Sequence, residues 1–237
     1  MIDAFITNLG RYNEGHLDGE YLKLPSEKQD LQALLKRIHV DGVRYEEVFI
    51  TDYKTSIAGL RERLGEYESI DELNYLAALL HDLDGYERAK FEAALKYGEY
   101  TGSVRDLINL SQNLDCYDLY PDVTNEEELG YFLVDELCML EIPEHLQGYF
   151  DYKAYGRDAH YNGGVFTDAG YIQKYDGGFI EHYDDRDDIP DEYRIFAYPE
   201  PEQLSIRDTL RHYQRMIADS PASISAQDRP VPTFDTR

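Results

Sequence analysis

Residues 129–140, LGYFLVDELCML, are apolar almost all the way round a helix, broken only by Gly130, Asp135 and Glu136. Leu129, Phe132, Leu133, Leu137 and Leu140 make one stripe at helical spacing, and Tyr131, Val134, Cys138 and Met139 make a second. A helix at a protein surface needs one apolar stripe, so a helix with two is covered on two sides. Two readings stay open. The helix is the centre of its own core, or one stripe faces its own domain and the other a second copy of the chain. The second reading puts a dimer interface on Tyr131, Val134, Cys138 and Met139. Upstream, Thr124 is expected to cap the helix, with Glu127 completing a capping box. Glu126, Glu127 and Glu128 lie in the first turn, where the helix dipole favours negative charge.

The rest of the chain divides around that helix into an α+β architecture of three small units in series. Residues 1–56 predict a three-stranded sheet with one helix. Strands are expected at 2–8, 17–24 and 45–53, with a turn at Gly10, Asn13 and Gly15 and a helix capped by Ser26. Residues 57–113 read as a small helical bundle. Ser69 with Glu72 and Ser103 with Asp106 open two of its helices, and Gly98 closes another. A less regular short helix is expected at 57–64. Residues 114–203 form a mixed unit carrying the two-striped helix, a short helix after Pro143, another near 151–159, and strands at 116–120, 164–167 and 171–174. Further strands are expected at 179–183 and 193–198, separated by an acidic loop at 184–192. Residues 204–237 predict a helix from Ser205 with Arg207, Arg211 and Arg215 on one face, then a disordered tail.

Charge is the strongest compositional signal. The chain has 237 residues, a net charge of −25 and 42% hydrophobic residues. That apolar content suits a folded chain, not an acidic disordered one. Self-repulsion on this scale opposes compaction, so the acidity calls for a functional reason, and its sign points to a basic partner and excludes direct nucleic-acid binding. No 18-residue apolar run predicts a membrane span, and the first residues lack the pattern of a signal peptide. Two cysteines, Cys116 and Cys138, read as reduced, buried thiols of a cytoplasmic protein.

No catalytic or metal signature stands out. The seven histidines are scattered and form no H-E-x-x-H pair, neither cysteine has a partner at zinc-site spacing, and there is no phosphate-binding glycine loop. No cofactor is expected. The acidic 184–192 run lacks the central glycine of a calcium loop. A carboxylate-pair hydrolase stays possible by residue type, although the chain has no tryptophan to stack on a sugar. Arg157 beside Asp158 reads as a buried or capping ion pair.

Several short motifs carry a resemblance. Asn8-Leu9-Gly10, Tyr12-Asn13-Glu14-Gly15 and Gly19 open the chain. The two-striped helix, Ile142-Pro143, Tyr149 to Tyr152 and Ala154-Tyr155-Gly156-Arg157-Asp158 follow in order. Over roughly residues 2–175 this resembles the ArdA antirestriction proteins of bacterial plasmids and conjugative transposons. The resemblance implies a non-catalytic, elongated homodimer in the bacterial cytoplasm. It implies that the protein mimics B-DNA and occupies the DNA-binding groove of type I restriction–modification enzymes, on their specificity and methyltransferase subunits.

Electrostatics gives that implication a scale. Two copies would carry about 50 negative charges, the charge of about 85 Å of duplex at one charge per roughly 1.7 Å. Partner lysines and arginines suited to phosphates would meet carboxylates instead. The array is expected on Glu62, Glu66, Glu68, Asp71, Glu72, Asp82, Asp84, Glu87, Glu92, Glu99, Asp115, Asp118 and Asp122. The rivals are an acidic protein that binds another basic DNA-binding partner, and the carboxylate hydrolase.

Overall fold

The computed structural model describes residues 1–161, 163–175 and 178–200; the expected arginine-faced helix and tail after Ser205 lie outside the described residues. Its class is α+β, with two antiparallel three-stranded sheets and helices between and around them. The first sheet has the order β2-β1-β3, from β1 (Ile2–Asn8), β2 (Gly19–Leu24) and β3 (Val48–Thr55). Alternation turns Ile2, Ala4 and Ile6 of β1 inward. They meet Leu31, Leu34 and Leu35 of α2 (Lys28–Arg37) in the same buried cluster. Between β1 and β2 the chain makes a short helix, α1 (Leu9–Asn13), in place of the expected open turn. Asn8 is the reason: its side chain accepts the Arg11 N–H and donates to the carbonyls of Ile38 and His39, tying the turn to the end of α2.

The helical stretch forms as its caps dictate. Ser69 accepts the Glu72 N–H to open α3 (Ile70–Asp82). Asp84 and Glu87 form a capping box at α4 (Gly85–Tyr97), and Gly98 ends that helix in the left-handed conformation at φ +92°. Ser103 accepts the Asp106 N–H to open α5 (Val104–Ser111). The expected helix at 57–64 is only a 3-10 turn, Arg61–Arg63. The second sheet has the order β4-β6-β5, from β4 (Tyr117–Tyr120), β5 (Val165–Thr167) and β6 (Gly170–Lys174). One buried cluster runs from Ile2 through α3, α4 and α5 to Ile172 and on to Ile195.

The two-striped helix is interrupted. α6 (Glu126–Tyr131) is capped by Asn125, while Thr124 donates to the Glu128 carboxylate. The next turn, Phe132–Glu136, is π-helical, closed by the Leu137 N–H on the Phe132 carbonyl; Cys138, at φ +51°, then ends it. One extra residue in a turn rotates everything after it by about 100°, so stripes drawn at 3.6 residues per turn do not survive past Phe132. α7 (Glu144–Gln147) and α8 (Tyr152–Tyr161) follow. α6 and α8 cross with their backbones in contact. A Cβ on Gly130 would collide with the Tyr152 carbonyl, and one on Gly156 with the Glu126 carbonyl. Tyr131 stacks on Tyr152 at 4.0 Å beside the crossing.

The strands expected at 179–183 and 193–198 do not form. Those residues run as an irregular strap whose backbone groups bond to side chains instead of a sheet edge. Asn113 accepts the Ile180 N–H and donates to the Ile180 carbonyl. Asn109 does the same with Tyr183. Asn74 donates to the Tyr193 carbonyl, and Asp71 accepts the Phe196 N–H.

The α6–α8 crossing makes a prediction. Gly156→Ala should destabilise the chain by about 1–3 kcal/mol or more, because rigid backbone lies where the methyl must go. Ala154→Gly, on the same helix, should cost less. Thermal melts of the two variants measure the difference.

Candidate functional site

Carboxylates dominate the surface, and the structure sorts the thirteen expected array positions. Glu62, Glu66, Asp82, Asp84, Glu87, Glu99, Asp115 and Asp122 are exposed. Glu68, Glu72, Glu92 and Asp118 are half-buried. Asp71 is different: it is 1% exposed, accepts the Phe196 N–H and pairs with Arg186 at 2.6 Å. It holds the strap and presents no charge to a partner. Helical spacing placed Asp71 in the first turn of α3, but nothing in that spacing foretold the chain that covers it.

Several of the others have local duties. Asp84 and Glu87 cap α4. Glu92 pairs with Arg88 at 3.3 Å, and Lys174 donates to Glu99 at 2.5 Å. Glu72 accepts the Tyr183 hydroxyl at 2.6 Å, and burial together with that bond pushes the tyrosine well above its usual pKa. Asp118 accepts the Tyr120 hydroxyl, whose pKa burial and that carboxylate push up to about 12.

Other acids, outside the expected set, have their pKa lowered by neighbouring donors. Hydrogen bonds from the backbone of Val43, Tyr45 and Arg44 pull Asp41 below the usual carboxylate range. The Arg37 guanidinium does so for Glu20, and the Thr124 backbone N–H for Glu128. The strap adds Glu181, Asp184, Asp185, Asp187, Asp188, Asp191 and Glu192, all exposed. Its arginines are engaged: Arg186 with Asp71, and Arg194 with Asp191 and the Asp187 carbonyl. The composition of 184–192 was the signal for these acids. The loop reading used it for solvation only.

The expected interface residues fall around the π-helical turn. Tyr131, Cys138 and Met139 are exposed, Met139 at 66%. Val134 is buried within its own chain. Leu137, Leu140, Leu146 and Tyr149 are exposed nearby in sequence, so the stretch 131–149 carries an unusual amount of bare apolar surface. Of the two thiols expected to be buried, Cys116 is and Cys138 is not, because the helix ends at Cys138. Arg157 and Asp158 are both exposed on α8 at 3.9 Å, not a buried pair.

Chemistry finds little to work with. Among the described residues no group of three or more His, Cys, Asp or Glu side chains is placed to hold a metal. An open groove of about 590 Å³ is lined by Glu62, Glu92 and Asp168 and by Arg63 and Lys96. No described helix is long and apolar enough to cross a membrane.

The comparison with known families decides the identity. A family model described as Antirestriction protein (ArdA) matches residues 4–173. The chain belongs to the ArdA antirestriction family. No curated protein matches it. The residues behind the resemblance now have physical reasons within this ArdA fold. Asn8 ties α1 to α2, Gly10 lies against the Tyr45 ring, Gly19 lies against Phe5, and Gly156 lets α8 touch α6. They are fold-specifying positions. The family match ends at β6, so the strap at 178–198 lies beyond it.

Buried and exposed acids should separate in a stability assay. Asp71→Ala should cost about 1–3 kcal/mol, since it leaves the part-buried Phe196 N–H without its acceptor. Glu62→Gln, at an exposed site, should leave the melting curve unchanged.

Proposed function

We propose that this ArdA chain opposes restriction as a non-catalytic mimic of B-DNA. Its exposed carboxylates stand in for phosphates in the DNA-binding groove of a type I restriction–modification enzyme, on the specificity and methyltransferase subunits. The observation that carries the reading is the division of charge on the folded chain. Exposed acids are spread over α3, α4, the turn before β4, the segment after it and the strap, while most described arginines are already paired with acids. A lysine- or arginine-lined groove meets such a surface with the same charge-assisted bonds it makes to DNA.

The active species in this reading is a cytoplasmic homodimer joined through the apolar surface around Tyr131, Cys138 and Met139. Joining two copies roughly doubles the length of negative surface available to one enzyme. Exposed apolar surface of this kind is what such an interface requires. Because Val134 is buried within its own chain, Met139→Asp is the clean probe. It should shift the light-scattering mass from dimer to monomer without lowering the melting temperature, and an unchanged dimer would remove the assignment.

The function is tested by competition. The purified chain should displace duplex DNA from a type I methyltransferase core, and neutralising array residues should weaken it in steps. Glu62→Gln, Glu66→Gln and Asp82→Asn should each cost less than about fivefold, with the losses accumulating when combined. A carboxylate hydrolase would behave otherwise: one substitution in the groove, such as Glu92→Gln, would abolish activity while the rest did nothing. Failure to displace DNA at any concentration would sink the mimic.

A further inference from the structure

We infer that residues 178–198 form a clasp that opens and closes on α3 and α5 as a local unit, and that Asn74, Asn109, Asn113 and Asp71 are the residues that dock it. The clasp contributes no strand to either sheet. Its backbone polar groups are met one by one by side chains of the helical region. Asn113 brackets Ile180 and Asn109 brackets Tyr183, each amide donating to and accepting from a single residue's backbone, as a neighbouring strand would. Both amides are at most 3% exposed. Asn74 holds the Tyr193 carbonyl, and Asp71 holds the Phe196 N–H together with the Arg186 guanidinium.

Tyr183, Ile189 and Ile195 are the clasp's buried apolar anchors, each 1% exposed. Phe179, Tyr193 and Phe196 pack half-buried beside them on the same core, but the segment has no strand ladder to hold it there. Segments held in this way open at a lower free energy than the global transition. Releasing Tyr183 leaves the Asn109 side-chain oxygen unmet until water enters, and its amino group with only the Arg105 carbonyl, so partial opening is penalised. Opening also parts the exposed Arg105 guanidinium from Glu181 at 3.2 Å and Asp184 at 2.6 Å. The clasp therefore keeps a cation on α5 paired with carboxylates.

Hydrogen exchange on the full chain tests this, independently of any partner. In the wild type, the amides of Ile180, Tyr183 and Phe196 should exchange through an opening that leaves the amides of Ile6 in β1 and Ile172 in β6 protected. Asn113→Ala should speed exchange at Ile180 and Tyr183 by ~10-fold or more, and leave Ile6 and Ile172 at wild-type rates. Arg186→Gln, which leaves the buried Asp71 carboxylate without its cation while the clasp is closed, should do the same at Phe196. Clasp amides that speed up only in step with Ile6 and Ile172 would make the segment an inseparable part of the core and overturn the inference. So would clasp amides that keep their wild-type rates in both variants.

Discussion

Electrostatic repulsion is the constraint on everything else in this chain. With a net charge of −25, the folded state must hold its carboxylates close enough to repel one another, and core burial must outweigh that cost. Apolar side chains do so in one long buried cluster, from β1 through α3, α4 and α5 to β6 and the strap. The cations lower the cost locally. Arg11, Arg37, Arg61, Arg88, Arg105 and Arg186 each pair with a carboxylate, while acids outnumber these cations over the surface. On the proposed function, that surplus is what a DNA-binding groove would meet.

The junctions in the fold use backbone proximity and side-chain amides where larger proteins use more core. α6 and α8 meet through two glycines. The first sheet is tied to the end of α2 by the Asn8 amide, and the strap is held by Asn74, Asn109 and Asn113. Such contacts are short-range and neutral, so they do not add to the charge.

Much of this was legible from local signals. The caps at Ser69 and Ser103 and the stop at Gly98 work through groups adjacent in sequence, and they place α3, α4 and α5 closely. β1 followed from alternation, and β4 from a short run stopped by Pro121. The π-helical turn was not legible, because an extra residue in a turn leaves the composition of the helix unchanged and alters only its phase. The strap was misread as two strands for a related reason. Phe179, Ile180 and Tyr183 suit an extended chain, but they cannot say whether a strand or a row of amides meets the backbone. Asn109 and Asn113, four residues apart, were the available clue. Among the expected site residues, Asp71 was lost to burial by chain more than a hundred residues away, while the other twelve kept at least partial exposure.

The most direct measurement is the salt dependence of binding to a type I methyltransferase core. If the carboxylates engage the groove made for phosphates, the logarithm of affinity should fall steeply and linearly with the logarithm of salt between about 50 and 200 mM, in parallel with the enzyme's own DNA binding. An affinity that stays level across that range would mean that the contact rests on something other than the protein's negative surface.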